Sequence, residues 1–251
     1  MGLFSRRKRG FFSSRRAEKE KKKKFGKADL DESFIDPSTG VRSFSSFVDL
    51  TLLDPRATQK NIEELIQVAK NQKYYCVIVP PVFVGFASSI IKNNNYPLRV
   101  GSVVGFPLGH STTSSKIRET KKLVKAGADE IEVSLNLHYV KCGDYSSVKF
   151  ELSRIVKAAK KRVVKVILET CYLTNEEIEK VLRICVRSKV QFVMTSSGYA
   201  PIGATVESIE KLSLLSDGKI GVKASGGIKT RLEAESFLRL GATRIGTSRI
   251  I

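Results

Sequence analysis

The chain has 251 residues, of which 41% are hydrophobic, so it can form one barrel-sized core or two small domains. No run of residues approaches the roughly 20 consecutive apolar residues of a membrane span, which argues against a transmembrane protein. The cysteines lack the paired spacing of a zinc site or a redox dithiol, and we interpret them as reduced packing residues: Cys76, Cys142, Cys171 and Cys185. These features predict a cytoplasmic protein with one folded domain and a tail, attached at most to a membrane surface.

The net charge of +19 is concentrated at the N-terminus. Residues 1–27 hold twelve Lys or Arg against Glu18 and Glu20, so this basic tail carries +10 of the excess. Its cations alternate with phenylalanines without a helical or strand period, at Phe4, Phe11, Phe12 and Phe25. A segment that cannot bury an apolar face does not offset its ordering entropy, so we expect the tail to be disordered on its own.

The composition of the tail allows several interpretations. Clustered cations with interleaved aromatics suit an anionic membrane surface, where each cation contributes about 1 kcal/mol and the Phe side chains insert. They also suit RNA, through phosphate neutralisation and base stacking. The clusters resemble nuclear localisation or transit signals, and a solvated arm without a partner is the simplest alternative. The apolar Leu3-Phe4 pair directly before the first basic cluster favours the membrane surface.

Residues 28–45 form a predicted linker, because Asp, Ser, Gly and Pro dominate there, and the folded domain is predicted over 46–251. In this domain, apolar runs of strand length alternate with segments of helical period, which is the pattern of a parallel sheet. We predict eight strands, at residues 47–52, 74–80, 99–106, 130–136, 163–169, 192–197, 220–226 and 244–248.

Eight strand-helix units in about 200 residues predict an α/β fold of the (β/α)8 TIM-barrel type, since an open doubly wound sheet usually has fewer strands. Thr174 is the predicted cap of one helix and Gly127 the predicted end of another. Because the chain stops at Ile251, directly after the eighth strand, we expect the last helix to be missing or vestigial.

Several predicted strands carry polar residues at alternate positions, which an apolar barrel interior does not require. They lie on strands one, four, five and seven: Asp49, Thr51, Glu132, Ser134, Asn136, Lys165, Glu169, Lys223 and Ser225. A buried ion without a partner costs several kcal/mol, so these residues predict a polar site inside the barrel. The alternative is a set of structural ion pairs, such as Glu132 with Lys165.

Two glycine turns follow the last two strands, Ala224-Ser-Gly-Gly227 and Gly246-Thr-Ser248. In TIM barrels the loops after strands seven and eight often hold a phosphate group through backbone N–H groups. Together, in this order, the turns predict a phosphorylated substrate.

Seven motifs of the predicted barrel follow the order of a known family. They are Val48-Asp-Leu-Thr-Leu-Leu53, Val104-Gly-Phe-Pro-Leu-Gly109, Gly127-Ala-Asp-Glu-Ile131, Lys165-Val-Ile-Leu-Glu-Thr170, Gly203-Ala-Thr205, Gly221-Val-Lys-Ala-Ser-Gly-Gly-Ile228 and Arg244-Ile-Gly-Thr-Ser248. Over residues 46–248 the chain resembles the 2-deoxyribose-5-phosphate aldolases, which are class I aldolases that need no metal and no cofactor.

The resemblance implies a reaction. In that family a lysine at the end of strand six forms a Schiff base, and the imine draws electrons during cleavage into acetaldehyde and glyceraldehyde 3-phosphate. A lysine on strand seven lowers the pKa of the first lysine, and an Asp on strand four belongs to the proton relay. Carried over by position, Lys223 is the strand-seven lysine and Lys165 the strand-five lysine. The implied phosphate cradle is Gly198, Gly226, Gly227, Gly246, Thr247 and Ser248.

This chain departs from the family pattern at the two central positions. Met194 stands where the family carries the Schiff-base lysine, and Glu132 stands where it carries the strand-four Asp. A thioether cannot form an imine. A carboxylate that is one methylene longer displaces the proton relay, and a positional error of about 1 Å can lower the rate 100-fold. Tyr199 also stands where some members have a Lys. With these residues, Asp49 and Thr51 complete the candidate catalytic set.

Three functions fit this sequence. The first is a catalytically impaired or inactive aldolase-like protein, which keeps a pocket for a phosphorylated sugar or a small phosphorylated aldehyde and uses its tail to bind an anionic partner. The second is an active aldolase with the imine moved to Lys223, one strand away. The third is a different reaction on a phosphorylated small molecule. Each is compatible with a homo-oligomer.

Overall fold

The computed structural model describes residues 42–251. The basic tail, residues 1–27, and residues 28–41 of the predicted linker lie outside this described part, so the expectations for them stay predictions. The first described residues lead through a 3-10 turn at Phe44–Phe47 into the first strand.

Eight parallel strands close into a barrel in chain order, and β1 pairs with β8 across the seam. They are β1 Val48–Thr51, β2 Cys76–Val79, β3 Arg99–Val104, β4 Glu130–Ser134, β5 Val163–Ile167, β6 Phe192–Met194, β7 Gly221–Ser225 and β8 Arg244–Thr247. The predicted (β/α)8 barrel is thereby confirmed. All eight strands are shorter than predicted; β5, for example, ends before Glu169, whose φ of 55° is left-handed and cannot continue a strand.

The described residues form eight α-helices around the barrel. They are α1 Gln59–Asn71, α2 Val84–Asn93, α3 Thr113–Ala126, α4 Leu137–Lys141, α5 Tyr145–Ala158, α6 Asn175–Arg187, α7 Val206–Ser216 and α8 Arg231–Arg239. Two of them, α4 and α5, connect β4 to β5. As predicted, none of the described residues after β8 forms a helix. None of these helices is long and apolar enough to cross a membrane.

Local sequence signals fix several helix ends. The Thr174 side chain accepts from the Glu177 backbone N–H, while the Glu177 side chain accepts from the Thr174 N–H, which caps the start of α6 as predicted. Gly127 ends α3 with a φ of 105°, where a side chain would be strained. Between successive strands the chain leaves the carboxyl end of one strand, passes through one helix, or two after β4, and returns to the amino end of the next strand.

The core lies mainly between the barrel and its helices. Residues on the outer faces of the strands, such as Val166, Val193 and Val222, are at most 2% exposed and belong to one large apolar cluster with the helices. A smaller apolar cluster on β2 and β3 includes Cys76, Ile78 and Val103. Polar residues occupy much of the remaining inner surface, as the alternating pattern predicted.

A buried ion pair fastens α3 to α5. Lys116 Nζ lies 2.7 Å from Glu151 Oε1, and the two side chains are 0% and 1% exposed. Lys116 Nζ also donates to the backbone oxygen of Ser134 (2.9 Å), and Thr113 Oγ1 donates to Glu151 Oε2 (2.9 Å). The pKa of Lys116 is lowered from its ordinary value, because the effect of burial exceeds the opposing effect of Glu151. The pair holds the two helices against the end of β4.

Candidate active site

The strand register places the predicted catalytic residues on the inner face of the barrel. Residues in register on parallel strands share a face, and Glu132 is in register with Lys165, Lys165 with Phe192, and Lys223 with Arg244. Asp49 is in register with Gly246 on the closing strand. The structure thus brings Asp49, Glu132, Lys165 and Lys223 into one buried network.

Lys165 lies at the centre of this network. Its Nζ is 2.5 Å from Asp49 Oδ2, 2.6 Å from Glu130 Oε2 and 3.0 Å from Glu132 Oε1. All four side chains are at most 4% exposed. Three carboxylates around one ammonium group leave a net negative charge in a low-dielectric site. Because uncompensated buried charge is costly, further cations are required to balance it.

Lys223 and Arg244 supply these cations. Lys223 Nζ is 2.8 Å from Asp49 Oδ2 and 2.5 Å from Glu132 Oε1, and Lys223 is 1% exposed. Arg244 Nη1 is 3.0 Å from Asp49 Oδ1, and its Nη2 is 3.9 Å from Glu130 Oε1. Three carboxylates therefore face three cations, and the network is neutral as a whole. The predicted ion pair between Glu132 and Lys165 is part of it.

The network shifts the acid-base equilibria of its members. Burial alone would raise the pKa of Asp49, but Lys165, Lys223 and Arg244 lower it well below its usual range. Burial would lower the pKa of Lys165, but Asp49, Glu130 and Glu132 raise it well above its ordinary value. The same balance of burial against Asp49 and Glu130 raises the pKa of Arg244. The network thus favours the ionised forms of Asp49, Lys165 and Arg244.

Two members of the network were not among the predicted site residues, namely Glu130 and Arg244. The signal for both was the same strand alternation, because Glu130 lies two residues before Glu132 and Arg244 two residues before Gly246. Among the described residues the network does not include Thr51. Its hydroxyl donates to the backbone oxygen of Asp49 (3.4 Å) at the half-buried end of β1.

The described residues contain one group of potential metal ligands, Asp49, Cys76 and Glu130, whose donor atoms lie within 4.8 Å of one another. Both carboxylates are already neutralised by Lys165 and Arg244. Burial, and then the nearby Glu130 and Asp49, raise the pKa of the Cys76 thiol well above its ordinary value. A metal ion at this group would have to displace Lys165 or Arg244 from carboxylates that they already pair with.

Met194 ends β6 on the inner face, where it is 3% exposed. It is in register with Ile167 on β5 and with Lys223 on β7. Two residues before it, the Phe192 ring centroid lies 5.9 Å from Lys165 Nζ and 5.3 Å from the Arg244 guanidinium carbon, which confirms that this side of β6 faces the network. The thioether therefore lies beside the strand position of Lys223.

The glycine turns lie at the carboxyl end of the barrel. Gly198, Gly226 and Gly227 have φ values of 87°, 88° and 79°. The turns after β6 and β7 are in contact. The backbone oxygen of Gly226 lies so close to Gly203 that a Cβ added to Gly203 would be only 2.1 Å from it. Gly227 faces open space. This part of the surface is therefore formed by backbone and not by side chains, so an anion could approach backbone N–H groups here.

The three remaining cradle candidates are at the end of β8. A Cβ on Gly246 would lie 2.6 Å from Lys223 Cε, so the glycine makes room for the lysine side chain. Thr247 Oγ1 donates to the Ile228 backbone oxygen (2.9 Å) and accepts from the Arg249 N–H (3.1 Å), which fastens β8 to the loop after β7. Ser248 is exposed. Phosphate binding by these six residues stays a prediction.

The mouth of the barrel is bridged by Tyr199. This residue follows β6, and its hydroxyl donates to the backbone oxygen of Leu53, which follows β1 (3.0 Å). Its ring meets the Phe106 ring, which follows β3, at a centroid distance of 5.3 Å and an interplanar angle of 90°. Leu53 and Phe106 in turn pack on the inner cluster of Ile78 and Val103. One tyrosine thus connects three loops around the mouth.

The chain is thus a closed (β/α)8 barrel with lysines and carboxylates on its inner face. Within this class, the DeoC/LacD family aldolases match residues 46–243, and the chain belongs to that family.

The relatives of the chain are deoxyribose-phosphate aldolases. The protein of Thermoanaerobacter sp. (strain X514) is 42% identical over 209 residues, which are 82% of this chain and 93% of the relative. The protein of Clostridium botulinum (strain ATCC 19397 / Type A) is 43% identical over 204 residues, 81% and 95% of the two chains. Among solved structures, the tetrameric deoxyribose phosphate aldolase of Aeropyrum pernix superposes with a TM-score of 0.76 and is 33% identical. The match covers 81% of this chain and 86% of the Aeropyrum chain.

From the lowered pKa of Asp49 we predict how the free energy of unfolding changes at low pH. A carboxyl whose pKa is lowered by folding contributes stability that is fully present above its unfolded pKa of about 3.9 and is lost as the pH falls below it. Asp49→Asn should destabilise the protein by about 3–5 kcal/mol at pH 7, because it leaves buried cations unpaired, and should flatten the loss of stability below pH 4. Urea unfolding between pH 2 and pH 7 measures both effects.

The matched control is Asp54→Asn, which removes a carboxylate that is paired with Arg56 at the surface. An exposed pair contributes little, so this variant should unfold like the wild type at pH 7. Equal destabilisation by the two variants would contradict a special role for the inner network.

Proposed function

We propose that this protein is a deoxyribose-phosphate-aldolase-like protein that has lost the imine chemistry of its family and keeps a binding site for a phosphorylated sugar or a small phosphorylated aldehyde. The observation that carries this proposal is Met194 on the inner face of β6, in register with Lys223. A thioether has no proton to lose and no amine lone pair, so it cannot attack the substrate carbonyl. Every later step of the family reaction depends on that attack.

The charge balance of the inner network supports the same conclusion. Three carboxylates match three cations, and a lysine at position 194 would add a fourth positive charge beside Lys223. An uncompensated charge in a buried site costs several kcal/mol. Methionine at this position is neutral and flexible enough to fill the space between Ile167 and Lys223.

The alternative function is an active aldolase in which Lys223 forms the imine. It is favoured by the register, because Lys223 is one strand from Met194, about 4.8 Å in the sheet direction. Imine formation, however, needs a free amine, and Lys223 Nζ is paired with both Asp49 and Glu132 and is 1% exposed. Formation of the imine at Lys223 would therefore require that two buried ion pairs break, which supports the proposal that the imine chemistry is lost.

Two buried hydroxyls without partners support the retained ligand site, one at the end of β4 and one beside the glycine turns. Ser134 Oγ and Ser196 Oγ are buried without a hydrogen-bond partner. Ser196 lies next to the turn after β7, because its Cβ is 3.0 Å from the position of a Cβ on Gly226. Buried hydroxyls are normally satisfied, so these two fit the hydroxyl groups of a sugar, while the turn backbone fits its phosphate.

The first test is turnover of deoxyribose 5-phosphate with borohydride trapping. We expect no detectable cleavage and no reduced adduct with the wild-type chain. Met194→Lys alone should restore little, since Glu132 remains, and Met194→Lys with Glu132→Asp should exceed the sum of the single changes. Wild-type turnover and an adduct that both disappear in Lys223→Ala would show that the imine has moved. Lys223→Arg, which keeps the charge, separates lost chemistry from lost stability.

The second test is ligand binding by thermal shift. Deoxyribose 5-phosphate or glyceraldehyde 3-phosphate at millimolar concentration should raise the Tm, because a ligand that binds only the folded state stabilises it. Unphosphorylated deoxyribose should not. Ser248→Glu should abolish the shift, since it places a negative charge beside the turns without touching the inner network. A flat response to both phosphates would mean that the mouth bridged by Tyr199 is closed and that Met194 only fills the core.

The basic tail, which lies outside the described residues, is proposed to bind an anionic membrane surface. Its twelve cations and its Phe side chains support this. Binding to anionic vesicles should weaken steeply with rising salt and should disappear when residues 1–27 are deleted, as measured by co-sedimentation. Stronger binding to single-stranded RNA than to vesicles at equal charge would replace the membrane with a nucleic acid. Identical behaviour of full-length and truncated protein would leave only a solvated arm.

A further inference from the structure

A groove of about 1150 Å³ runs along the outside of the barrel between α3 and α5. Its floor is apolar and includes Ile117, Val124 and Ala158. Phe150 also lines it and is 55% exposed, which is unusual for so large an apolar side chain. An apolar floor beside so exposed an aromatic side chain is a candidate site for the binding of another segment or molecule.

The rim of this groove is strongly basic. Lys121 and Lys125 on α3 face Arg154, Lys157 and Lys160 on and just after α5, and no acidic side chain lines the groove among the described residues. Glu151 lies beneath the groove but is fully buried and neutralised by Lys116. The groove therefore selects an occupant that is both apolar and acidic.

The chain itself contains such a segment directly before its described part. Residues 28–36 hold Asp29, Asp31, Glu32 and Asp36, and residues 28–41 contain no Lys or Arg. Residues 29–36 have three apolar residues, Leu30, Phe34 and Ile35, and the i, i+4 spacing of Leu30 and Phe34 would place both side chains on one face of a helix. The basic tail, by contrast, is repelled by the rim.

The geometry allows this segment to reach the groove. Arg42 lies 5.9 Å from the centroid of the Tyr75 ring, and Arg99, which starts β3, lies 5.2 Å from the same ring. The Arg42 side chain is thus at the amino end of the barrel, near the starts of β2 and β3. The α3 and α5 helices end at this same end, where Asp129 accepts from the Val100 N–H (3.1 Å). An extended chain from residue 36 to residue 42 spans at most about 20 Å.

We propose that residues 29–36 dock in the lower part of this groove, with Leu30 and Phe34 on its apolar floor and the four carboxylates against its basic rim. This is a helix-in-groove contact within one chain. The short connection raises the effective concentration of the segment to the millimolar range, so modest contacts suffice. Docking covers the exposed apolar floor and projects the basic tail away from the barrel. The proposal is independent of whether the inner site is active.

The test uses the full chain with Phe34→Trp, which introduces the only tryptophan because the chain has none. We expect emission of a buried indole at low salt and a red shift of about 10 nm or more at 1 M salt, where the Debye length is about 3 Å. The same red shift at low salt should follow from reversing three rim charges with Lys125→Glu/Lys157→Glu/Lys160→Glu. Reversing three lysines outside the groove should have no effect: Lys60→Glu/Lys70→Glu/Lys92→Glu.

A charge swap completes the experiment. Asp29→Lys/Asp31→Lys/Glu32→Lys should cause the red shift alone, and combining it with the reversed rim should restore buried emission. Emission of an exposed indole in the starting variant, or emission that responds equally to the control lysines, would overturn the proposal. So would a blue shift that grows with protein concentration, because the occupant would then be the segment of a second copy.

Discussion

The contact of Lys165 with three carboxylates is the interaction on which the inner structure depends. It joins β5 to β1 and β4, and the two further cations extend it to β7 and β8. Five of the eight strands are thereby connected through charged groups inside the barrel. Such a network is stable only when it is complete, because each member left alone would be an unpaired buried charge. The Asp49 contact with Arg244 also bridges the seam between the first and last strands.

This dependence limits what can change at the site. In a barrel with an apolar interior, an inner residue can be exchanged for another of similar volume at modest cost. Here the inner residues are coupled by charge, so a change of one affects all of them. The neutral side chain of Met194 leaves this balance intact. A neutral residue at the end of β6 is therefore compatible with the closed eight-strand barrel.

Much of the architecture followed from the sequence. The alternation of strand and helix patterns predicted the closed barrel, and the period-2 pattern predicted that Asp49, Glu132, Lys165 and Lys223 face inward. Glu130 and Arg244 were missed because they lie at the amino ends of their strands, where a polar residue is as easily interpreted as part of a loop. The Tyr199 bridge to Leu53 joins residues that are 146 positions apart, so no local pattern could indicate it.

Gly246 has a consequence for the way this site can evolve. Its missing side chain is the space that the Lys223 stem occupies, since a Cβ there would lie 2.6 Å from Lys223 Cε. A larger residue at 246 requires the Lys223 stem to move or to be shortened, and a shorter residue at 223 removes one of the cations that Asp49 and Glu132 contact. The two positions therefore form one mutational unit, and relatives that differ at one of them should differ at the other as well.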